Sequence, residues 1–230
     1  GITSFKVFLT YATRVTAAQF LDILTVAQKH GGLTMVHAEN HDMLTFMATH
    51  LAEQGYTEPR YHAPARPAIA EEEAIARAAK MVELTGSRIY IVHLSSKEGL
   101  AKVQEARDRG IDVFAETCPQ YLLLDESLYF QDGFEGAKVV MSPPLRKKKD
   151  QEALWAGINQ NLVHHVATDH CPFCTDQKEM GIDNFSKIVA VHFFNVPTKR
   201  LPLVAHGLHI ANVLCGIIEL VFVVIKHRNQ

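Results

Sequence analysis

The amino-acid sequence predicts an α/β fold of parallel β/α units, closed as a (β/α) barrel rather than spread as a doubly wound sheet. Three observations carry this. Short, mostly apolar runs of strand length recur between residues 5 and 167. Stretches with helical apolar spacing separate them, the pattern of strands buried on both faces. No GxGxxG or GxxxxGK[ST] follows any strand, which removes the main support for a nucleotide-binding open sheet.

The elements follow in chain order. Phe5-Lys6-Val7-Phe8-Leu9 reads as a buried strand, and Thr16 to His30 follows with Phe20, Ile23, Leu24 and Ala27 at helical spacing. Gly31-Gly32 stops that helix, as glycine past a C-terminus commonly does. Leu33-Thr34-Met35-Val36 is a second strand, ending at His37. A long connection holding His62-Ala63-Pro64-Ala65-Arg66-Pro67 leads to a helix from Glu71 to Leu84. Its first turn is expected to carry three acids, favourable to the macrodipole, and Gly86 ends it. Arg88 to Val92 is a third strand, ending at His93. Ser95 or Ser96 caps the next helix, which runs to about Arg109 and stops at Gly110. Ile111 to Ala115, Lys138 to Met141 and Leu162 to Ala167 bring the strands to six, the last ending at Thr168-Asp169. Leu208 to Ile225 is almost continuously apolar and reaches the ~18-residue length of a membrane span. Glu219 near its end and the lack of an interfacial aromatic belt favour a buried helix or strand instead.

Composition excludes several classes. Of 230 residues 47% are apolar, enough for a substantial core, so global disorder is ruled out. With 23 basic and 25 acidic residues the net charge is −2, and the one basic run, Arg146 to Lys149, is short. A nucleic-acid partner is therefore not expected, since such proteins gather a basic excess on one face. Cys118, Cys171, Cys174 and Cys215 are too unevenly placed for a disulfide framework, and no signal peptide is in view, so a cytoplasmic location is expected. The chain opens with Gly1-Ile2-Thr3-Ser4 and no initiator Met, the mark of a fragment or processed piece. Thirteen histidines invite a search for metal ligands.

Lys6 sits in the first strand, while His37, His93 and Asp169 each close one. In a barrel the C-terminal strand ends converge on a single face, so these four groups are expected to meet. Two imidazoles and a carboxylate suit zinc or its neighbours. A lysine ammonium is no ligand unless CO₂ carbamylates it, which would give two anionic oxygens able to bridge metals. Plainer readings exist for each. A histidine at a strand end is commonly just packed, Lys6 could pair with an acid, and Asp169 could cap the turn before Pro172. Two rival motifs fall short. His37-Ala38-Glu39-Asn40-His41 has its acid one place late for a zincin and follows a strand. Cys171-Pro172-Phe173-Cys174 is a single CxxC without the second pair of a zinc ribbon, so both cysteines read as structural.

Six stretches then make the sequence recognisable. They are Gly1 to Phe8, Met35-Val36-His37-Ala38-Glu39-Asn40, Ile91-Val92-His93-Leu94-Ser95, Glu116-Thr117-Cys118-Pro119-Gln120-Tyr121, Val140 to Arg146, and Ala167-Thr168-Asp169-His170-Cys171-Pro172-Phe173. Together they tie down roughly residues 1 to 188, which resemble the cyclic amidohydrolases of the dihydropyrimidinase and D-hydantoinase family. The resemblance implies a (β/α)8 TIM-like barrel of the metal-dependent hydrolase type. It implies that Lys6 is carboxylated and bridges two divalent ions, zinc first, with manganese or cobalt as substitutes. His37 and His93 would bind the more exposed ion. Asp169 would bind the other and shuttle the proton. Tyr11 would hold the substrate carbonyl, Ser142 the ring amide, and Phe8 would line the pocket for the exocyclic group. The implied reaction is hydrolysis of hydantoins or dihydropyrimidines to N-carbamoyl amino acids, a small cyclic amide being the only partner besides copies of the chain in a homotetramer.

Two departures qualify this. The His-x-His that feeds the buried metal in the family lies upstream of the lysine, and no His-x-His occurs in this sequence. The barrel is thus expected to lack its N-terminal strands, and the isolated chain to bind metal poorly and turn over negligibly. After Ile188 the family continues with a glycine-rich loop, whereas this chain reads Val189-Ala190-Val191-His192-Phe193-Phe194-Asn195. Residues 1–188 therefore form a partial barrel domain and 189–230 a divergent segment, and the family's substrate-binding asparagine is not transferred to Asn195. A non-catalytic dihydropyrimidinase-like scaffold is the alternative from another class, disfavoured by the joint presence of Lys6, His37, His93 and Asp169. Allantoinase and dihydroorotase are alternatives within the hydrolases, against which Met141-Ser142-Pro143-Pro144-Leu145-Arg146 favours the dihydropyrimidinase branch.

Overall fold

Strands β1 (Ser4–Phe8), β2 (Leu33–His37), β3 (Ile89–Ile91), β4 (Val113–Thr117) and β5 (His165–Val166) pair in parallel, strictly in chain order, in a computed structural model that describes residues 2–171 and 173–188. A doubly wound sheet reverses its strand order at a switch point. None occurs among the described residues, so the sheet is an arc of a barrel, and the expected α/β class and incomplete barrel hold.

The helices are α1 (Ala17–His30), α2 (His41–Glu53), α3 (His62–Ala65), α4 (Ala68–Thr85), α5 (Lys97–Asp108), α6 (Pro119–Leu123), α7 (Glu135–Lys138), α8 (Lys148–Asn159) and α9 (Thr175–Glu179). Around the outside of the sheet α1 packs on α4, α4 on α5 and α5 on α8. Their ends follow local chemistry. Thr16 opens α1 with a capping box to Gln19, and Gly31 closes it at φ 68°. Asn40 accepts from the N–H of Met43 at the start of α2, and Ser96 from that of Gly99 at the start of α5.

Burial separates the two faces of the sheet. Val7, Val36, Ile89, Ile91, Val113 and Ala115 face the helices and are buried, packing with Phe20, Leu24, Ile75, Val103 and Leu154. The opposite row runs in register through Lys6, Met35, Tyr90 and Phe114, and is only partly covered or exposed. That row is the inside of the arc.

Four expectations need correction. The long connection after His37 contains α2, whose Asn40 cap and buried Leu44 and Leu51 mark one helical face. Helix α4 starts at Ala68, so only Glu71 falls in its first turn, and Glu71 is buried rather than a solvated acid. Lys138 to Met141 is no strand. Lys138 ends α7, and the backbone beyond it bonds to side chains, with Lys178 Nζ donating to the carbonyls of Ala137, Lys138 and Val140 and His62 Nε2 to that of Met141. The strand expected over 162–167 shrinks to His165–Val166. The segment 189–230, with Leu208 to Ile225, lies outside the described residues. Among those described, no helix is long and apolar enough to cross a membrane.

Candidate active site

The C-terminal strand ends carry the groups singled out above. Lys6 lies two residues before the end of β1, and His37 closes β2 opposite Phe8. His93 lies two residues beyond β3, and Asp169 three beyond β5. Neighbouring strands stand ~4.8 Å apart, so a flat five-stranded sheet would separate β1 from β5 by roughly 19 Å. Lys6 Nζ nevertheless lies 3.8 Å from Asp169 Oδ1, because the sheet is rolled. Asp169 Oδ2 is 3.9 Å from His93 Nε2, and the rings of His93 and His37 meet edge to face with centroids 4.5 Å apart.

The three residues assigned to substrate adjoin this cluster. The Tyr11 ring is 5.1 Å from that of His37, and the Phe8 ring is 5.6 Å from it. Lys6 Nζ sits 5.2 Å from the Phe8 centroid. Ser142, buried, lies beside the Tyr11 hydroxyl. All seven residues thus form one contiguous group. Tyr11, His93 and Asp169 also adopt positive φ, at 70°, 42° and 46°, with Asn161 the other non-glycine residue to do so among those described. Such conformations are sparsely populated and persist where the surroundings hold them, commonly at functional sites.

Electrostatics prepare the group. Burial lowers the His37 pKa, keeping the ring neutral and able to donate a lone pair. Burial also raises the Tyr11 pKa, so its phenol stays a hydrogen-bond donor. Burial works to raise Glu39 too, but Arg66 and His37 overcome it and hold that carboxyl well below the usual range.

Glu39, Arg66, Glu71 and Arg146 were not picked out as functional from the sequence. Glu39 was visible only as part of the His37-Ala38-Glu39-Asn40 motif, and a carboxylate two residues past a candidate ligand is the one signal that pointed to it. Arg66 arrives from the α3–α4 junction, and no spacing announces it. Of the cysteines, Cys118 is buried with its thiol pKa pushed well up by burial, while Cys171 and Cys174 are exposed and free. One surface cleft lies at the opposite strand ends, lined by Gly31, Gly32, Arg88 and Asp112.

A metal fits this donor set in kind. His37 and His93 are imidazoles, Asp169 is a carboxylate, and Lys6 stands beside Asp169. As they stand, however, no three His, Cys, Asp or Glu side chains among the described residues are grouped to hold an ion. Lys6 is the donor that such a grouping leaves out.

Comparison with known proteins shows what the chain is similar to. Over 191 residues the chain is 44% identical to the D-hydantoinase of Geobacillus stearothermophilus and 44% identical to that of Streptomyces coelicolor, in each case covering 82% of this chain and 41% of the relative. Over most of its length the chain is similar to the D-hydantoinases. Among solved structures, the D-hydantoinase from Bacillus sp. AR9 superposes with a TM-score of 0.81 at 44% identity, over 83% of this chain and 42% of that one. The D-hydantoinase of Thermus sp. gives 0.81 at 37% identity. No family model matches. The chain thus spans about two fifths of the length of the D-hydantoinases it matches, in keeping with an arc rather than a closed barrel.

Proposed function

We propose that this chain serves the hydrolytic opening of a cyclic amide, a hydantoin or dihydropyrimidine ring, to an N-carbamoyl amino acid. What carries the reading is the meeting of Lys6, His37, His93 and Asp169 at one end of a rolled sheet, in a chain akin to D-hydantoinases. Lys6, once carbamylated by CO₂, would together with His37, His93 and Asp169 hold a two-ion zinc centre. Bound there, the ions would supply Lewis acidity for the amide carbonyl and for the attacking water near neutral pH.

The protein's own groups do the rest. Asp169 takes a proton from the attacking water as the new C–O bond forms. It returns that proton to the ring nitrogen as the C–N bond breaks, one group serving as base and then acid. Tyr11, kept protonated by burial, donates to the carbonyl oxygen as charge builds on it. Ser142, beside Tyr11, faces the ring amide, and Phe8 gives an apolar wall for the substituent.

A chimera tests the reading. The matching 191-residue stretch of the Geobacillus stearothermophilus D-hydantoinase is replaced by this chain's sequence. Zinc-dependent opening of hydantoin is expected, and Asp169→Asn is expected to lower kcat by about 10²–10⁴-fold. A folded chimera no faster than its Asp169→Asn variant sinks the proposal.

A further inference from the structure

Around His37 lies a buried polar unit that the reaction scheme does not use. The His37 Nε2 is 2.8 Å from Glu39 Oε2. Arg66 grips the same carboxylate with two nitrogens, Nε donating to Oε1 at 3.2 Å and Nη2 donating to Oε2. The same Nη2 donates to the Tyr11 hydroxyl oxygen at 3.2 Å. Glu39 is 1% exposed and the Arg66 side chain 14%. The Arg66 backbone is itself held, its carbonyl accepting from Arg146 Nη1.

We propose that Glu39 and Arg66 are positioning residues that lock His37 and Tyr11 into one rigid unit and make Nδ1 the ring nitrogen His37 presents to a metal. This rests on the metal reading above for the ligand role alone; the orientation of the ring stands on the contacts themselves.

The argument is one of donors and acceptors. A carboxylate gripped by a guanidinium can only accept, so the 2.8 Å contact places the His37 proton on Nε2. The lone pair is then on Nδ1. Metal-binding histidines are commonly oriented in this way, by a carboxylate taking the other ring N–H. The planar guanidinium suits the task because it engages both oxygens of Glu39 and still has a hydrogen for Tyr11. A lysine could supply the charge but not the fork. His37 and Tyr11, 26 residues apart in the chain and with rings 5.1 Å apart, therefore share a single brace.

The tautomer can be read directly by long-range ¹H–¹⁵N NMR on the metal-free 230-residue chain, with the His37 signals assigned by their loss in His37→Gln. The expected spectrum shows a protonated Nε2 and an unprotonated Nδ1 at neutral pH. An Nδ1–H ring or a doubly protonated ring would overturn the proposal. In the chimera described above, where the rest of the barrel is supplied, adding zinc is expected to shift Nδ1 and leave Nε2 protonated. Zinc that moves neither nitrogen would remove the metal reading, and the Nε2–H signal would still establish the orientation. Arg66→Lys is expected to mix the tautomers and weaken zinc binding by about 10-fold or more. Should that variant not fold, Glu39→Gln gives the same comparison. A folded variant of either kind with wild-type tautomer and zinc affinity would overturn the positioning role.

Discussion

Glu71 accepts the backbone N–H groups of both Ser95, at 3.0 Å, and Ser96, at 2.9 Å. A side chain from α4 thereby clamps the turn that follows His93. The two serine hydroxyls donate to the same carboxylate, and Arg146 Nε donates to Ser95 Oγ at 3.1 Å. All four residues are buried. Glu71→Ala is expected to cost about 3–5 kcal/mol in denaturant unfolding, because it strands two N–H groups and the Arg146 charge in the interior. A loss below about 1 kcal/mol would show that the clamp does not hold the turn.

Acid should unfold the chain through His62. Its Nε2 donates to the Met141 carbonyl at 2.6 Å, and burial pulls its pKa down to about 3. In the unfolded chain the ring titrates near 6.5. Between those values the unfolded state binds the extra proton, so stability is full above pH 6.5 and falls as pH drops towards 3. The slope approaches about 1.4 kcal/mol per pH unit within that window. His62→Gln, which can still donate to Met141, should flatten it in urea titrations from pH 7 to 4; an unchanged slope would assign the acid sensitivity to other groups.

These residues also show what sequence could and could not reveal. Four parallel strands and helices α1, α4 and α5 were legible from apolar period and glycine stops, because local chemistry fixes them. Val139-Val140-Met141 misled, being as apolar as a strand and fully inside. Its carbonyls go to Lys178 and His62 instead of a neighbouring strand, and no local pattern encodes partners that far along the chain. Glu71 misled for a related reason, since an acid near a helix start normally faces water. Lys6, His37, His93 and Asp169 were legible as a set because barrel topology alone sends strand ends to one place. The brace of Glu39 and Arg66 was not, because it depends on a loop conformation.

Carbamylation of Lys6 should depend on metal. The Lys6 ammonium and Asp169 attract each other at 3.8 Å, but a carbamate there would repel that carboxylate unless cations lay between them. In the chimera with ¹³C-bicarbonate, a carbamate carbonyl resonance should appear on adding zinc, fade on chelation, and be absent from Lys6→Arg. A signal that survives in Lys6→Arg would place the carbamate elsewhere.

Packing at Gly99 gives a further test. A Cβ there would lie 2.9 Å from Leu94 Cδ1, 3.0 Å from Ile75 Cδ1 and 3.1 Å from Glu71 Oε2. The Glu71 oxygen is pinned by Ser95 and Ser96 and cannot retreat. Gly99→Ala should therefore destabilise by about 1–3 kcal/mol, even though alanine is the better helix former by about 1 kcal/mol. A thermal melt at or above that of the wild-type chain would mean that α4 and α5 can move apart.

The left-handed backbone at His93 and Asp169 sets a bound on how far this scaffold could be hardened. Glycine would relax both torsions, the ordinary remedy of stability engineering, yet it would delete the imidazole and the carboxylate in the same stroke. Robustness would have to come from the outer helices, leaving the strand ends permanently tense.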